Sequence, residues 1–112
     1  MPDDAEPFLG DLLRIAATGD DTDPVIVVEG ELDASGTQWF GTCLSAALAK
    51  HPPSITLDAR GLTYLDSSGL RSLLRARAAA EEAGAAFRIS QPSPAVRRMV
   101  ERTGLKDRLL GD

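Results

Sequence analysis

Thr63-Tyr64-Leu65-Asp66-Ser67-Ser68-Gly69-Leu70 joins a predicted strand, Ser54 to Ala59, to a predicted helix that starts at Ser67 and runs through Ala80. An acid and two hydroxyls at a strand-to-helix junction admit two readings. In the first they cap the helix, with Asp66 or Ser67 accepting a hydrogen bond from orphan N–H groups of the first turn. In the second a serine stands where a phosphate is tolerated, because a helix N-terminus offers amide donors and the positive end of the dipole. Local geometry alone favours the cap. The choice therefore rests on the surroundings of the stretch.

Upstream, Val25-Ile26-Val27-Val28 sets four β-branched residues in a row, the pattern of a strand buried on both faces. It runs into Glu29-Gly30-Glu31-Leu32-Asp33, and Asp33 or Ser35 is placed to cap the next helix. From Thr37 to Lys50 the apolar residues Phe40, Cys43, Leu44, Ala47 and Leu48 recur at helical spacing, one core-facing stripe of an amphipathic helix. Cys43 lies inside this stripe and reads as a small buried hydrophobe. Trp39 lies off it, either a lid over the core edge or part of a partner surface. His51-Pro52-Pro53 stops the helix. Phe8 to Ala17 reads as an edge strand and Thr18 to Pro24 as a turn, while residues 1–7 read as a disordered lead-in.

Downstream, the helix places Leu70, Leu73, Leu74 and Ala78 on its buried side, with Arg71, Arg75 and Glu82 largely opposite, and Gly84 ends it. Ala85 to Ser90 alternates as a strand, with Phe87 and Ile89 against Arg88. Ser93-Pro94 is a helix start, and Val96, Met99, Val100 and Thr103 form the stripe of a helix that Gly104 terminates. Leu105 to Leu110 is expected as a short final strand. Strands alternating with helices imply right-handed parallel crossovers, and an antiparallel opening pair makes the sheet mixed. The fold class is α/β: one domain over residues 8–112, a mixed sheet of four to five strands with three helices packed on it.

Composition narrows the function. A chain of 112 residues holds a single core. The net charge of −5 argues against a direct nucleic-acid partner, which demands a basic stripe. The arginines at 71, 75, 77 and at 97, 98, 102 are read as solvated helix faces. No apolar run is long enough for a membrane span. The acidic start, Met1 to Glu6, is unlike a signal peptide, and one cysteine forms no internal disulfide and no cysteine metal cluster. The expectation is a cytoplasmic protein.

Three separate segments resemble the STAS domain of bacterial anti-sigma factor antagonists. Gly30-Glu31-Leu32-Asp33 is similar to the family's segment after its second strand. Leu57-Asp58-Ala59-Arg60-Gly61-Leu62 together with Thr63 to Leu70 is similar to its strand, loop and phospho-acceptor segment. Ser93 to Arg98 and Thr103-Gly104-Leu105 resemble its third helix and the turn beyond. Order and spacing agree from about residue 11 to 110. The resemblance implies a partner switch. The unphosphorylated antagonist binds an anti-sigma factor, a GHKL-type serine kinase, and so frees a sigma factor. The kinase then phosphorylates the first serine after the aspartate, here Ser67, and the complex separates. A PP2C-type phosphatase reverses the step. By position Asp33 and Asp66 are the acids flanking that serine. The partner face implied comprises Asp33, Ala34, Ser35 and Gly36, Thr63 to Gly69 (with Asp66, Ser67 and Ser68), and Arg71 on the exposed side of the helix.

Two departures stand out. Relatives often place small residues where Arg71 and Arg75 stand; pairing with phosphate, altered partner choice and plain solvation are the alternatives, the last being favoured. The chain as given also ends before the last helix that many relatives carry, which implies a minimal form or an edge completed by a partner. Two other classes compete. A hydrolase needs a base for Ser67 or Ser68, and the one histidine, His51, is expected far from them; there is also no G-x-S-x-G elbow and no glycine-rich phosphate loop. The third class is a non-switching STAS scaffold of a stress-signalling assembly, or an accessory subunit of a lipid transporter. No catalytic residue, metal or cofactor is indicated, and nothing in the sequence supports nucleotide binding.

Overall fold

The ten-residue strand Asp23–Leu32 has neighbours along its whole length, and its position follows from its hydrophobicity. The structure, a computed structural model, describes residues 8, 9 and 12–110; the expected lead-in at 1–7 lies outside them. In chain order the elements are β1 (Phe8–Leu9), β2 (Leu13–Asp20), β3 (Asp23–Leu32), α1 (Thr37–Leu48), β4 (Ser54–Asp58), β5 (Leu62–Leu65), α2 (Ser67–Glu82), β6 (Ala86–Ser90), α3 (Pro94–Thr103) and α4 (Lys106–Leu110). The sheet runs β1-β2-β3-β4-β6, and β5 also pairs with β3. β1, β2 and β3 are antiparallel; β4, β5 and β6 join in parallel. The mixed α/β sheet expected from the sequence is present, and the short elements β1, β5 and α4 extend it.

One face of this sheet is covered. Ile15, Ile26, Val28, Leu32, Ile55, Leu57 and Leu62 are almost fully buried against Phe40 and Leu44 of α1, Leu70, Leu73, Ala76 and Ala80 of α2, Val96 and Val100 of α3, and Leu109 of α4. The opposite face carries Val25, Val27 and Asp58, half-buried, and Arg88, exposed. Strand β3 is thus not buried on both faces: its four β-branched residues alternate between core and a partly wetted surface. The buried exception on the outer face is Thr56, whose hydroxyl accepts from the Arg88 guanidinium at 3.4 Å.

Several local expectations change. Phe8 to Ala17 is not one edge strand, since β1 folds back so that Phe8 faces Ile15 and Leu9 faces Arg14. The turn expected from Thr18 to Pro24 is tighter, with pairing continuing to Asp20↔Asp23. The Asp20 carboxylate closes it by accepting from the N–H groups of Thr22 and Asp23, both at 3.0 Å, and from the Thr22 hydroxyl at 2.8 Å. On α2 the buried stripe is Leu70, Leu73, Ala76 and Ala80; Leu74 is half-buried and Ala78 exposed. Composition misleads here because alanines stand on every side of the helix. Thr103 is exposed, its hydroxyl donating back to the Met99 carbonyl at 2.8 Å. Residues 106–110 form a helix and not a strand, so a short last helix is present.

That last helix is tied down by a residue expected to be solvated. The guanidinium of Arg77 donates to the Leu109 carbonyl at 2.9 Å and pairs with Glu81 at 3.1 Å. A charged donor on an otherwise orphan helix-end carbonyl is worth about 1–2 kcal/mol, less here because the pair is partly solvated. Arg77→Met should lower stability by about 1 kcal/mol. It should also speed amide exchange in α4 while leaving β3 and β4 protected, which hydrogen-exchange mass spectrometry measures.

Candidate partner-binding site

Where parallel strands end, the loops beyond them cluster, and this is where α/β proteins build sites. Leu32 closes β3 and pairs with Leu65, which closes β5. The residues that leave the sheet next are Asp33 and Asp66, so two acids emerge side by side from neighbouring strands about 5 Å apart. The pairing depends on an irregularity between Gly30 and Glu31, which face Leu62 and Tyr64 and so leave Thr63 without a partner in the ladder. Gly30 has a φ of +98°, a backbone state that side chains resist, and a Cβ there would press into the Leu12 carbonyl. Thr63 donates its hydroxyl to the Gly30 carbonyl at 3.0 Å, so its role is to hold the bulge.

Asp66 is the cap of α2. Its backbone is extended and its carboxylate accepts from Gly69 N–H at 2.9 Å, while its carbonyl accepts from Leu70 N–H at 2.9 Å. Ser67 is therefore the first residue of the helix and not its cap. The residue is exposed, and its hydroxyl has no hydrogen-bond partner among the described residues. Ser68 is half-buried. Gly69 is buried, and a Cβ on it would meet the Leu32 carbonyl oxygen and, at 3.0 Å, the Leu65 side chain. The first turn of α2 thus rests directly on the end of β3, which brings Ser67 and the Asp33 loop to one edge. Arg71 lies one turn further along α2, exposed.

The Asp33 loop is organised by its own acid. The carboxylate of Asp33 accepts from the Ser35 hydroxyl at 2.6 Å and from the Ser35 N–H at 3.0 Å, and Gly36 N–H closes a turn onto the Asp33 carbonyl at 3.0 Å. Gly36 caps α1 without a side-chain bond, so neither Asp33 nor Ser35 is the helix cap the sequence suggested. The bond from the Ser35 hydroxyl, then that from its N–H, holds the Asp33 carboxyl below the usual aspartate range. Ala34 and Ser35 are exposed at the tip of the loop.

His51 lies beyond the other end of α1, a helix about 18 Å long, so it is remote from Ser67. Cys43 is half-buried, and desolvation pushes its thiol up, as suits a packing residue. Trp39 is 48% exposed on α1. Sequence reasoning includes Tyr64 in this edge but misses the cavity beside it. Tyr64, 49% exposed, looks outward from β5 into a shallow cavity of about 170 Å³ that Thr63, Met99, Arg98 and Arg102 also line. The signal is a tyrosine alternating with Leu65, but a strand as short as β5 reads as loop. Among the described residues no helix is long and apolar enough to cross a membrane.

The chain is a small domain with a mixed sheet covered on one face, whose parallel strands deliver an acid pair and an exposed serine to one edge. The chain belongs to the STAS family: the family described as "Mlab, STAS domain" matches residues 15–111. Among solved structures it is similar to an anti-sigma factor antagonist from Mycobacterium paratuberculosis, at 26% identity and a TM-score of 0.71 over 88% of this chain and 84% of that one. It is also similar to the anti-sigma factor antagonist SpoIIAA in its unphosphorylated form, at 25% identity and a TM-score of 0.69 over 81% of each chain. Against the Bacillus SpoIIAA in the phosphorylated form the fold agrees at 24% identity, with a TM-score of 0.65 over 81% of this chain and 84% of that one. No match was found among the curated proteins.

The local geometry sets two outcomes. Gly69→Ala gains helix propensity of about 0.5–1 kcal/mol, yet its methyl meets a backbone carbonyl that gives way only if α2 moves. The clash wins, so urea denaturation should show a net loss of about 1–3 kcal/mol. For Asp33 the folded-state pKa is depressed, so its contribution is present above the unfolded pKa and is lost as pH falls through the folded one. Carboxyl-detected NMR should show Asp33 titrating below an ordinary aspartate, and Ser35→Ala should raise that midpoint.

Proposed function

We propose that the protein is an anti-sigma factor antagonist whose unphosphorylated form binds an anti-sigma factor with GHKL-type serine kinase activity and so releases a sigma factor. Phosphorylation of Ser67 by that kinase ends binding, and a PP2C-type phosphatase restores it, in a cytoplasmic cycle. The observation that carries this reading is the division of labour at the start of α2. Asp66 supplies the cap, which leaves the Ser67 hydroxyl exposed and uncommitted. A serine needed for capping would be spent.

The contact face comprises Asp33, Ala34 and Ser35, the Thr63–Gly69 segment and Arg71. Phosphate adds about −1.5 to −2 charges and three acceptor oxygens to the middle of it. The fold tolerates that charge, because a first-turn position next to the N–H groups of Ser67 and Ser68 stabilises an anion by about 0.3–2 kcal/mol. A partner does not tolerate it. A dianion beside Asp33 and Asp66 costs several kcal/mol to desolvate unless the partner itself pairs it, enough to weaken association a hundredfold or more. The switch therefore lies in the contact surface and needs no refolding.

A second reading, a non-switching STAS scaffold of a stress-signalling assembly or an accessory subunit of a lipid transporter, also fits membership of the family described as "Mlab, STAS domain". Co-purification separates the two: a GHKL-type kinase favours the switch, a transporter ATPase the accessory role. With the kinase in hand, calorimetry should find Ser67→Ala binding tightly and never released by ATP, and Ser67→Asp binding at least tenfold more weakly. Equal affinities for the two variants would rule the switch out.

A further inference from the structure

The arginines of this chain are not equivalent. Arg14, Arg60 and Arg77 are each held by a carboxylate, at 3.5 Å from Glu29, 3.2 Å from Asp58 and 3.1 Å from Glu81. Arg71, like Arg75, Arg97, Arg98, Arg102 and Arg108, has no ion pair or hydrogen bond among the described residues, and of these it alone stands four residues beyond Ser67 on α2, where it is exposed. Residues at i and i+4 are neighbours on a helix surface, and helical side chains lean toward the N-terminus, so helix geometry puts Ser67 within reach of the Arg71 side chain. An anion at i with a cation at i+4 is the favourable order for such a pair. The acid that lies closest in sequence, Asp66, has its carboxylate engaged by Gly69 N–H.

We propose that Arg71 is the intramolecular counter-ion of phosphorylated Ser67, reaching back one helical turn to take the phosphate on its guanidinium fork. This deepens the switch proposed above and rests on it for its biological use. A guanidinium matches two phosphate oxygens at once, which an amine does not. In the unmodified protein Arg71 is free to meet an acidic group of the partner. Esterification of Ser67 then does two things to the interface: it adds negative charge, and it withdraws the cation beside it. The phosphate so held is also less available to a phosphatase, which lengthens the off state. Arg75, exposed one turn further on, is too distant to share the clamp.

The test uses the full chain with phosphoserine installed at position 67 during translation, so no natural kinase is required. A phosphorus-31 NMR titration at low salt reads the second ionisation of the phosphate. Pairing favours the dianion, so that ionisation should fall about half a pH unit lower with Arg71 present than in Arg71→Ala. Arg71→Lys should lie between them, Arg75→Ala should match the parent, and 1 M salt should shrink the difference. Removal of the phosphate by a PP2C-type phosphatase should be severalfold faster in Arg71→Ala. Superimposable titrations for the parent and Arg71→Ala, both folded by circular dichroism, would overturn the clamp. The switch itself fails by a different sign: phosphorylated and unmodified chains binding the anti-sigma kinase equally well.

Discussion

The constraint that positions the candidate site is the seat of Gly69 on the Leu32 carbonyl. It fixes where α2 begins relative to the end of β3, and every feature of the candidate site is measured from that contact. Leu32 is also paired with Leu65, so strand ladder and helix start are locked to each other within a few residues. Were the first turn displaced by the width of a methyl group, the start of α2 would shift relative to the end of β3 and to the Asp33 loop that follows it. The glycine supplies no chemistry. It allows two backbones to approach closely enough for neighbouring side chains to act together.

Around that seat the hydrogen bonds are distributed so that the hydroxyls of Ser67, exposed, and Ser68, half-buried, are left over among the described residues. Asp66 spends its carboxylate on the helix, Asp33 spends one carboxylate oxygen on Ser35, and Thr63 spends its hydroxyl on the bulge. Each of these groups stabilises the scaffold and is poorly suited to modification. Ser67 alone of the four makes no such bond. A protein whose reactive group is structurally idle is able to change its charge without changing its fold. The core supports this separation, since the fully buried residues of α2 begin at Gly69 and Leu70 and none lies at the exposed N-terminal position.

Much of this was legible in the residues because the relevant signals are local. Asp-Ser-Ser-Gly at a strand-to-helix junction, Ser93-Pro94 before α3 and the Phe40 stripe of α1 each express short-range physics, namely capping, a fixed φ and helical period. The features that escaped are non-local. Strand β5 is four residues long and exists only because the end of β3 offers an open edge beyond β4. Helix α4 has no period to read over five residues, and its leucines suit a strand equally well until Arg77 supplies a bond to its end. Ala78 and Ala80 are the same residue type with opposite burial, so side-chain identity carries no information about which faces the core.

The same distinction bears on Arg71. Read along the sequence, it is one member of a cluster with Arg75 and Arg77, and solvation accounts for all three. In the structure the cluster divides. Arg77 turns inward to a backbone carbonyl, while Arg71 and Arg75 stay on the outer side of α2. Only Arg71 stands one turn from a serine whose hydroxyl is idle. An exposed arginine close to an idle serine has little effect on folding, because surface ion pairs contribute about 0–1 kcal/mol at most. Under the clamp proposed above, its consequences would begin with a charge on the serine and would fall on the interface and on the lifetime of the modification. A position nearly neutral for stability could thus, under that proposal, tune how long the switch stays off without altering the domain that carries it.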